Sequence, residues 1–422
     1  MKRFRSFAFV LGGLSTVLAQ NDNAGLAATS SLPGRQTPTA PMIVRKAKED
    51  RSGTAWFVRA PDARLVFTGQ VAASNVTLDP AGQAEEALNN LRDQLKEADT
   101  DLDHILRLNV YVADPEFTAA VDQVIARRFA GAPPAVTLIY TPLAKPQARV
   151  AFDAIAIHPS IFPPPTVSAG GGSSRPVAPA SLRTVQFTRE GTAILPPGGK
   201  VFVAGQANPG PGLGPSLKAI MPNLFKALAH VGLARESVAQ VKAFIKPFHE
   251  HAVAVAAIKA SFGPLPVPPI VLVEWTTTQP AEIELVAAAP DLQRPIEDAA
   301  AHVSLPGMAP STLFSRISTV AAGAPLIFIS GIDGGRGGTA REQWKRVFDQ
   351  LGTVLWDSGS SFRHLVKATY FLNDASAREQ MTSIRGVYYD PTRPPSASAL
   401  DVTQMARPGR LVMLDLIAVP VK

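Results

Sequence analysis

Three short apolar runs punctuate the chain: Leu65-Val66-Phe67-Thr68-Gly69-Gln70, Val201-Phe202-Val203-Ala204-Gly205-Gln206 and Leu326-Ile327-Phe328-Ile329-Ser330-Gly331. Each is short, rich in β-branched or aromatic residues and closed by glycine, which predicts a buried strand ending in a turn. A helical stripe follows each run: Ala84, Ala87, Leu88, Leu91 and Leu95, then Leu217, Ile220, Met221, Leu224 and Leu228, then Trp344, Val347, Phe348, Leu351 and Leu355. Each stripe packs one helix face on a sheet. A second strand comes next, over 105–112, 238–245 and 365–372, carrying Arg107, Lys242 and Lys367 at 38, 37 and 36 residues past the glycine. A second helix follows, with Phe117, Ala120, Val121, Val124 and Ile125 on one face in the first case. Pro134, Pro268 and Pro395 open a further strand, and a last strand holds Asp153, Glu284 or Asp415, at 84, 79 and 84 residues past the glycine.

The chain is therefore read as three tandem copies of one α+β unit, β-β-α-β-α-β-β with a further strand in front, over 42–158, 183–290 and 303–422. Two helices cover one sheet face; packing the three remaining faces together covers the other. The Pro/Gly/Ser-rich linker 159–182 and a shorter one at 291–302 separate the copies. Residues 1–19, with Lys2, Arg3 and Arg5 ahead of the run Phe7–Leu11, read as an export signal, and 20–41 as a disordered segment, so a periplasmic or secreted location is expected. Taking those three charges from the net +7 leaves 38 basic against 34 acidic residues, too mild to argue for nucleic acid or a membrane surface. The absence of cysteine excludes thiolate nucleophiles, zinc-thiolate sites and disulfides.

Gly69-Gln70, the stretch Leu108-Asn109-Val110-Tyr111-Val112, the Pro134-Ala135 step and the ending Phe152-Asp153-Ala154-Ile155-Ala156 resemble the RidA/YjgF family of enamine/imine deaminases. The resemblance implies a chorismate-mutase-like fold and sites at subunit interfaces. It therefore implies an intrachain pseudo-trimer, monomeric as a chain. It also implies a 2-iminobutanoate/2-iminopropanoate-type deaminase. In such a site an Arg after the Pro step binds the substrate carboxylate, and a Glu on the last strand activates water. The early glycine segment of a neighbouring subunit helps to fix the substrate. Carried over position by position, the Arg is replaced by Val136, Ile270 and Ala397, and the Glu position holds Ala151, Glu282 and Met413.

Glu282 is thus the candidate catalytic residue, and Gly69, Gln70, Val136, Gly205, Gln206, Ile270, Ser330, Gly331 and Ala397 are the candidate ligand-binding positions. Glu274 is a candidate partner for Glu282, and Arg393 a candidate substitute for the missing Arg. Arg149, Arg407 and Arg410 are read as surface residues. Gly331–Gly338 is read as a mobile loop at the mouth of a site. His249-Glu250-His251 begins a helix and offers no third ligand, so no metal is expected; no cofactor is expected either. The expectation is an exported protein with degenerate deaminase-type sites, binding a small molecule at inter-domain clefts. An active deaminase or hydrolase using Glu282 and a non-catalytic scaffold are the alternatives.

Overall fold

Ordinary strand and helix signals account for most of the observed elements. The computed structural model describes residues 42–159, 184–292, 298–307 and 309–421. The expected export signal 1–19, residues 20–41 and all but the first of residues 159–182 lie outside the described residues, as do 293–297 of the second junction. The first segment holds β1 (Val44–Ala47), β2 (Ala55–Ala60), β3 (Leu65–Phe67), β4 (Val71–Ala72), α1 (Pro80–Glu97), β5 (Ile105–Val112), α2 (Thr118–Arg128), β6 (Ala135–Tyr140) and β7 (Val150–Ile157). The second holds β8 (Gln186–Phe187), β9 (Ala193–Leu195), β10 (Gly199–Ala207), α3 (Leu213–His230), β11 (Val238–Ile245), α4 (His251–Phe262), β12 (Ile270–Glu274) and β13 (Ala281–Ala289). The third holds β14 (Ala300–Val303), β15 (Ile317–Val320), β16 (Leu326–Asp333), α5 (Ala340–Asp357), β17 (Leu365–Leu372), α6 (Ala377–Tyr388), β18 (Ser396–Asp401) and β19 (Val412–Ala418). The third segment's first strand begins at Ala300, inside the expected linker, because Ala300–Val303 pair with β15.

The helices start where capping chemistry allows. Asp79 accepts from Gly82 N at 2.7 Å with Pro80 in the first turn of α1, and Thr339 and Glu342 form a capping box at α5. Each segment then repeats one sheet order: β6-β5-β7-β3, β12-β11-β13-β10 and β18-β17-β19-β16. In each, the Pro-led strand lies parallel to its neighbour and the other pairs are antiparallel.

The leading hairpins do not stay at home. β9 of the second segment pairs with β3 of the first, Leu65 opposite Leu195. β15 of the third pairs with β10 of the second, Val203 opposite Ile317. β2 of the first pairs with β16 of the third, Phe57 opposite Ile329. Each segment thus lends its hairpin to another, and the sheet faces bare of helices meet in one core. That core contains the three equivalent phenylalanines Phe67, Phe202 and Phe328 together with Leu106, Ala239 and Val366.

The recurring charges follow the same rotation. Lys367 of the third segment pairs with Glu284 of the second at 2.6 Å, and Arg107 of the first pairs with Asp415 of the third. Lys242 of the second acts on Asp153 of the first, which also accepts from Asn109 at 2.9 Å and from Tyr111. Burial alone raises Asp415, yet Arg107 and Lys242 hold it below the usual carboxylate range. Burial keeps Asp153 above that range against the pull of Lys242. Removing one partner of such a buried pair costs about 3–5 kcal/mol, because the other charge is stranded. Asp62 adds a second junction: it accepts from Gly198 N and Lys200 of the second segment and from Gly323 N of the third.

Candidate functional site: three unequal clefts

All three glycine-ended strands break where the glycine sits. β10 shifts register between Val203 and Gln206, and β16 between Ile329 and Ile332. In the first segment, pairing to β7 lapses between β3 and β4, at Gly69–Gln70. Such bulges turn a backbone away from its ladder and re-aim the side chains around them. Here they aim at the Pro-led strand of a different segment. A cleft therefore combines the glycine and last-strand position of one segment with the missing-Arg position of another.

In the first cleft, Gly69 faces Ile270: a Cβ built on the glycine lies 3.6 Å from the Ile270 carbonyl oxygen. Gln70 reaches across to the same strand. Its Nε2 donates to Leu272 O at 2.9 Å and its Oε1 accepts from Leu272 N at 3.1 Å, so its amide pairs with the edge strand β12 as a neighbouring strand does.

In the cleft between the third and first segments, the Val136 N–H donates to Ser330 Oγ at 2.7 Å, and that hydroxyl donates to Ala55 O. Met413 fills the position of the water-activating residue; a Cβ on Gly331 would meet its sulfur at 2.9 Å. A cavity of about 390 Å³ shares Arg407 and Arg410 with the space at Met413, which is itself about 20 Å³, room for one water. Its mouth carries Arg407 and Arg410, paired with Asp122 at 2.8 Å and Asp333 at 3.2 Å. These two are wall residues of a cleft rather than the plain surface residues expected. The glycine loop after Asp333 is pinned by Arg346, which donates to Gly334 O and Gly337 O at 2.6 Å each, so the expected loose loop is a tethered one.

The cleft between the second and third segments is open. Gly205, Glu282, Trp275, Arg316, Ala397 and Ser398 are among the residues lining a cavity of about 500 Å³. The Glu282 carboxyl can hold this position only because residue 205 is glycine, since a Cβ on it would stand 1.9 Å from Glu282 Oε1. That oxygen is shut off from solvent and has no hydrogen-bond partner. Burial pushes the Glu282 carboxyl up to about 7; the Ser398 hydroxyl and Lys367 oppose the rise and Glu284 adds to it. The Ser398 proton itself goes to Glu284, at 2.6 Å.

Three arginines reach this cavity from elements that periodicity did not single out. Arg378 on α6 is committed to Asp401 at 2.7 Å. Arg385, also on α6, is buried over the Tyr370 ring at 4.8 Å. Arg316 precedes β15 in the hairpin lent by the third segment. It lies 5.0 Å from the Phe314 ring, within the electrostatic reach of Glu282, and among the described residues its guanidinium has no hydrogen bond or ion pair. Burial lowers its pKa and Glu282 opposes that fall.

The other candidates lie elsewhere. Glu274 accepts from Thr403 at 2.7 Å and does not line the cavity of Glu282. Arg393 donates to Ala300 O at 2.7 Å and Arg363 O at 3.0 Å, which holds it on the hairpin strand β14. Arg149 lies over the Phe117 ring at 5.6 Å. His249 and Glu250 occupy a short turn before α4, which His251 begins; among the described residues no three metal-ligating side chains converge.

The profile of the Endoribonuclease L-PSP family matches residues 55–158 and 309–420. The second segment lies outside both ranges, although it has the same element and sheet order. A RutC family protein of Synechocystis is 33% identical over 82 residues, covering 19% of this chain and 62% of that protein, so the chain spans about three-fifths of it. Protein DfrA of Myxococcus xanthus is 30% identical over 106 residues, covering 24% of this chain and 81% of that protein. Among solved structures, a YjgF-family protein of Neisseria meningitidis is 24% identical and covers 29% of this chain and 94% of its own, with a TM-score of 0.22.

Proposed function

The chain belongs to the Endoribonuclease L-PSP family, and from that premise we propose that its cleft between the second and third segments is a hydrolytic deaminase site. The carrying observation is the Glu282 carboxyl, whose Oε1 has no hydrogen-bond partner, in the wall of a cavity of about 500 Å³ that also holds the Arg316 guanidinium, itself without an acceptor among the described residues. A base is most effective when its pKa lies near the working pH, and about 7 meets that condition.

In this reading Arg316 replaces the Arg missing at Ala397 and binds the substrate carboxylate. Glu282, ionised, takes a proton from water as the water oxygen bonds to the imine carbon and the C=N π pair moves to nitrogen. Glu282 passes that proton to the nitrogen, giving the carbinolamine; it then carries the hydroxyl proton to the same nitrogen as the C–N bond breaks, so that ammonia leaves, a carbonyl product remains and Glu282 is again ionised. Water supplies the oxygen, so no cofactor enters the balance. We also infer that the three segments act as an intrachain pseudo-trimer, a reading supported by the exchanged hairpins and the rotated ion pairs.

The test is ammonia release from 2-iminobutanoate generated in situ. Glu282→Gln is expected to lower turnover roughly 10²–10⁴-fold. Arg316→Ala is expected to weaken apparent substrate affinity roughly 10–100-fold, as for a lost hydrogen bond to a charged group. Unchanged rates in Glu282→Gln would sink the role given to Glu282, and no ammonia release from the unaltered protein would leave a binding module in place of an enzyme.

A further inference from the structure

The cavity of Glu282 shares Arg316 and Ala207 with a second cavity of about 610 Å³. The second one is lined by Gln206, Asn223, Lys226, His230, Leu305 and Arg316, with small apolar residues between them, and no acidic residue among the described ones faces it. Lys226 and His230 stand four residues apart on α3, hence on one helix face. Gln206 Nε2 is closed off from solvent without a hydrogen-bond partner. A buried donor left unpaired is costly unless a ligand supplies the acceptor. The cationic and amide donors here point to an anion.

Size argues the same way. A seven-heavy-atom imino acid is small against a cavity of about 500 Å³ that adjoins a second of about 610 Å³. We propose that the second cavity is a subsite for the distal anion of an elongated ligand carrying two anionic groups. Its near carboxylate lies at Arg316, its reacting end at Glu282, and its far anion between Lys226, His230 and the Gln206 amide. This deepens the reading of the Glu282 cleft and rests on it for the reacting end, but not for the binding preference.

Calorimetric titration of the full chain with adipate, pimelate and hexanoate tests it, the last acid having a single carboxylate. The diacids are expected to bind at least about tenfold more tightly than hexanoate, as for one added charge-assisted contact. In Lys226→Ala/His230→Ala, both exposed positions on α3, diacids and hexanoate should bind alike. Equal affinities in the unaltered protein, a preference that survives the double substitution, or no binding of any of the three at millimolar concentration would each overturn the proposal. Because the preference is scored without turnover, an inactive or unaffected Glu282→Gln variant bears only on the catalytic reading.

Discussion

Two clefts of this molecule share a backbone plan and differ in what fills it. Between the second and third segments the bulge glycine Gly205 faces Glu282 and the space beyond is about 500 Å³. Between the third and first segments Gly331 faces Met413, and about 20 Å³ remains. Methionine is flexible and polarizable and fills irregular gaps, whereas a carboxyl is costly to bury without a partner and packs poorly as filler. The bulge is kept in both, so the fold does not depend on the chemistry. Each cleft draws its walls from two segments of one chain, so each can diverge without the others, which identical subunits of a homotrimer cannot do.

The largest effect is expected where the segments are joined rather than where they differ. Arg107→Met strands the buried Asp415 and should cost about 3–5 kcal/mol of stability in urea unfolding. The exposed Arg363, paired with Asp390, serves as its control, and Arg363→Ala should cost no more than about 1 kcal/mol. Similar losses at both sites would dissolve the claim that the rotated pairs hold the segments together.

The two glycines sharpen the comparison between clefts. Gly205→Ala drives a Cβ into the Glu282 carboxylate, a displacement worth roughly 100-fold in rate when a catalytic group moves by about 1 Å. Gly331→Ala meets the movable Met413 sulfur instead and should leave ammonia release unchanged. Loss of rate in the second variant would give the closed cleft a role that this account denies it.

A smaller effect separates the clefts by proton linkage. The Glu282 carboxyl is raised from 4.5 to about 7 by burial, so between those values the folded state holds a proton that the unfolded chain releases. Stability should therefore fall as pH rises through that window and level off above it, by an amount on the order of 1–3 kcal/mol. Glu282→Gln should flatten the fall and be the more stable protein at pH 8. Met413→Gln, in the closed cleft, should leave the slope in place. Thermal unfolding across pH 4 to 9 reads both.

Much of the fold is legible in the sequence because it rests on local periodicity. Ile105–Val112, Val238–Ile245 and Leu365–Leu372 are strands at the positions their patterns predict, and the common spacing of Arg107, Lys242 and Lys367 from the glycines marks equivalent places. The exchange of hairpins is not legible, because β2, β9 and β15 carry no mark of which segment they join. The pairing of cleft positions is hidden for the same reason. Reading down a single copy sets Val136 beside Ala151, whereas in space Val136 meets Gly331 and Met413. Arg316 falls outside the motif altogether: it lies before a strand lent to another segment, and nothing in Phe314-Ser315-Arg316 announces a cleft.

The pH dependence of ammonia release most directly tests whether the open cleft does the chemistry through Glu282. With an ionised base whose pKa is about 7, the rate should rise tenfold per unit below that value and flatten above it, and the inflection should vanish in the residual activity of Glu282→Gln. A profile level through pH 7, or the same inflection in the variant, would contradict the account.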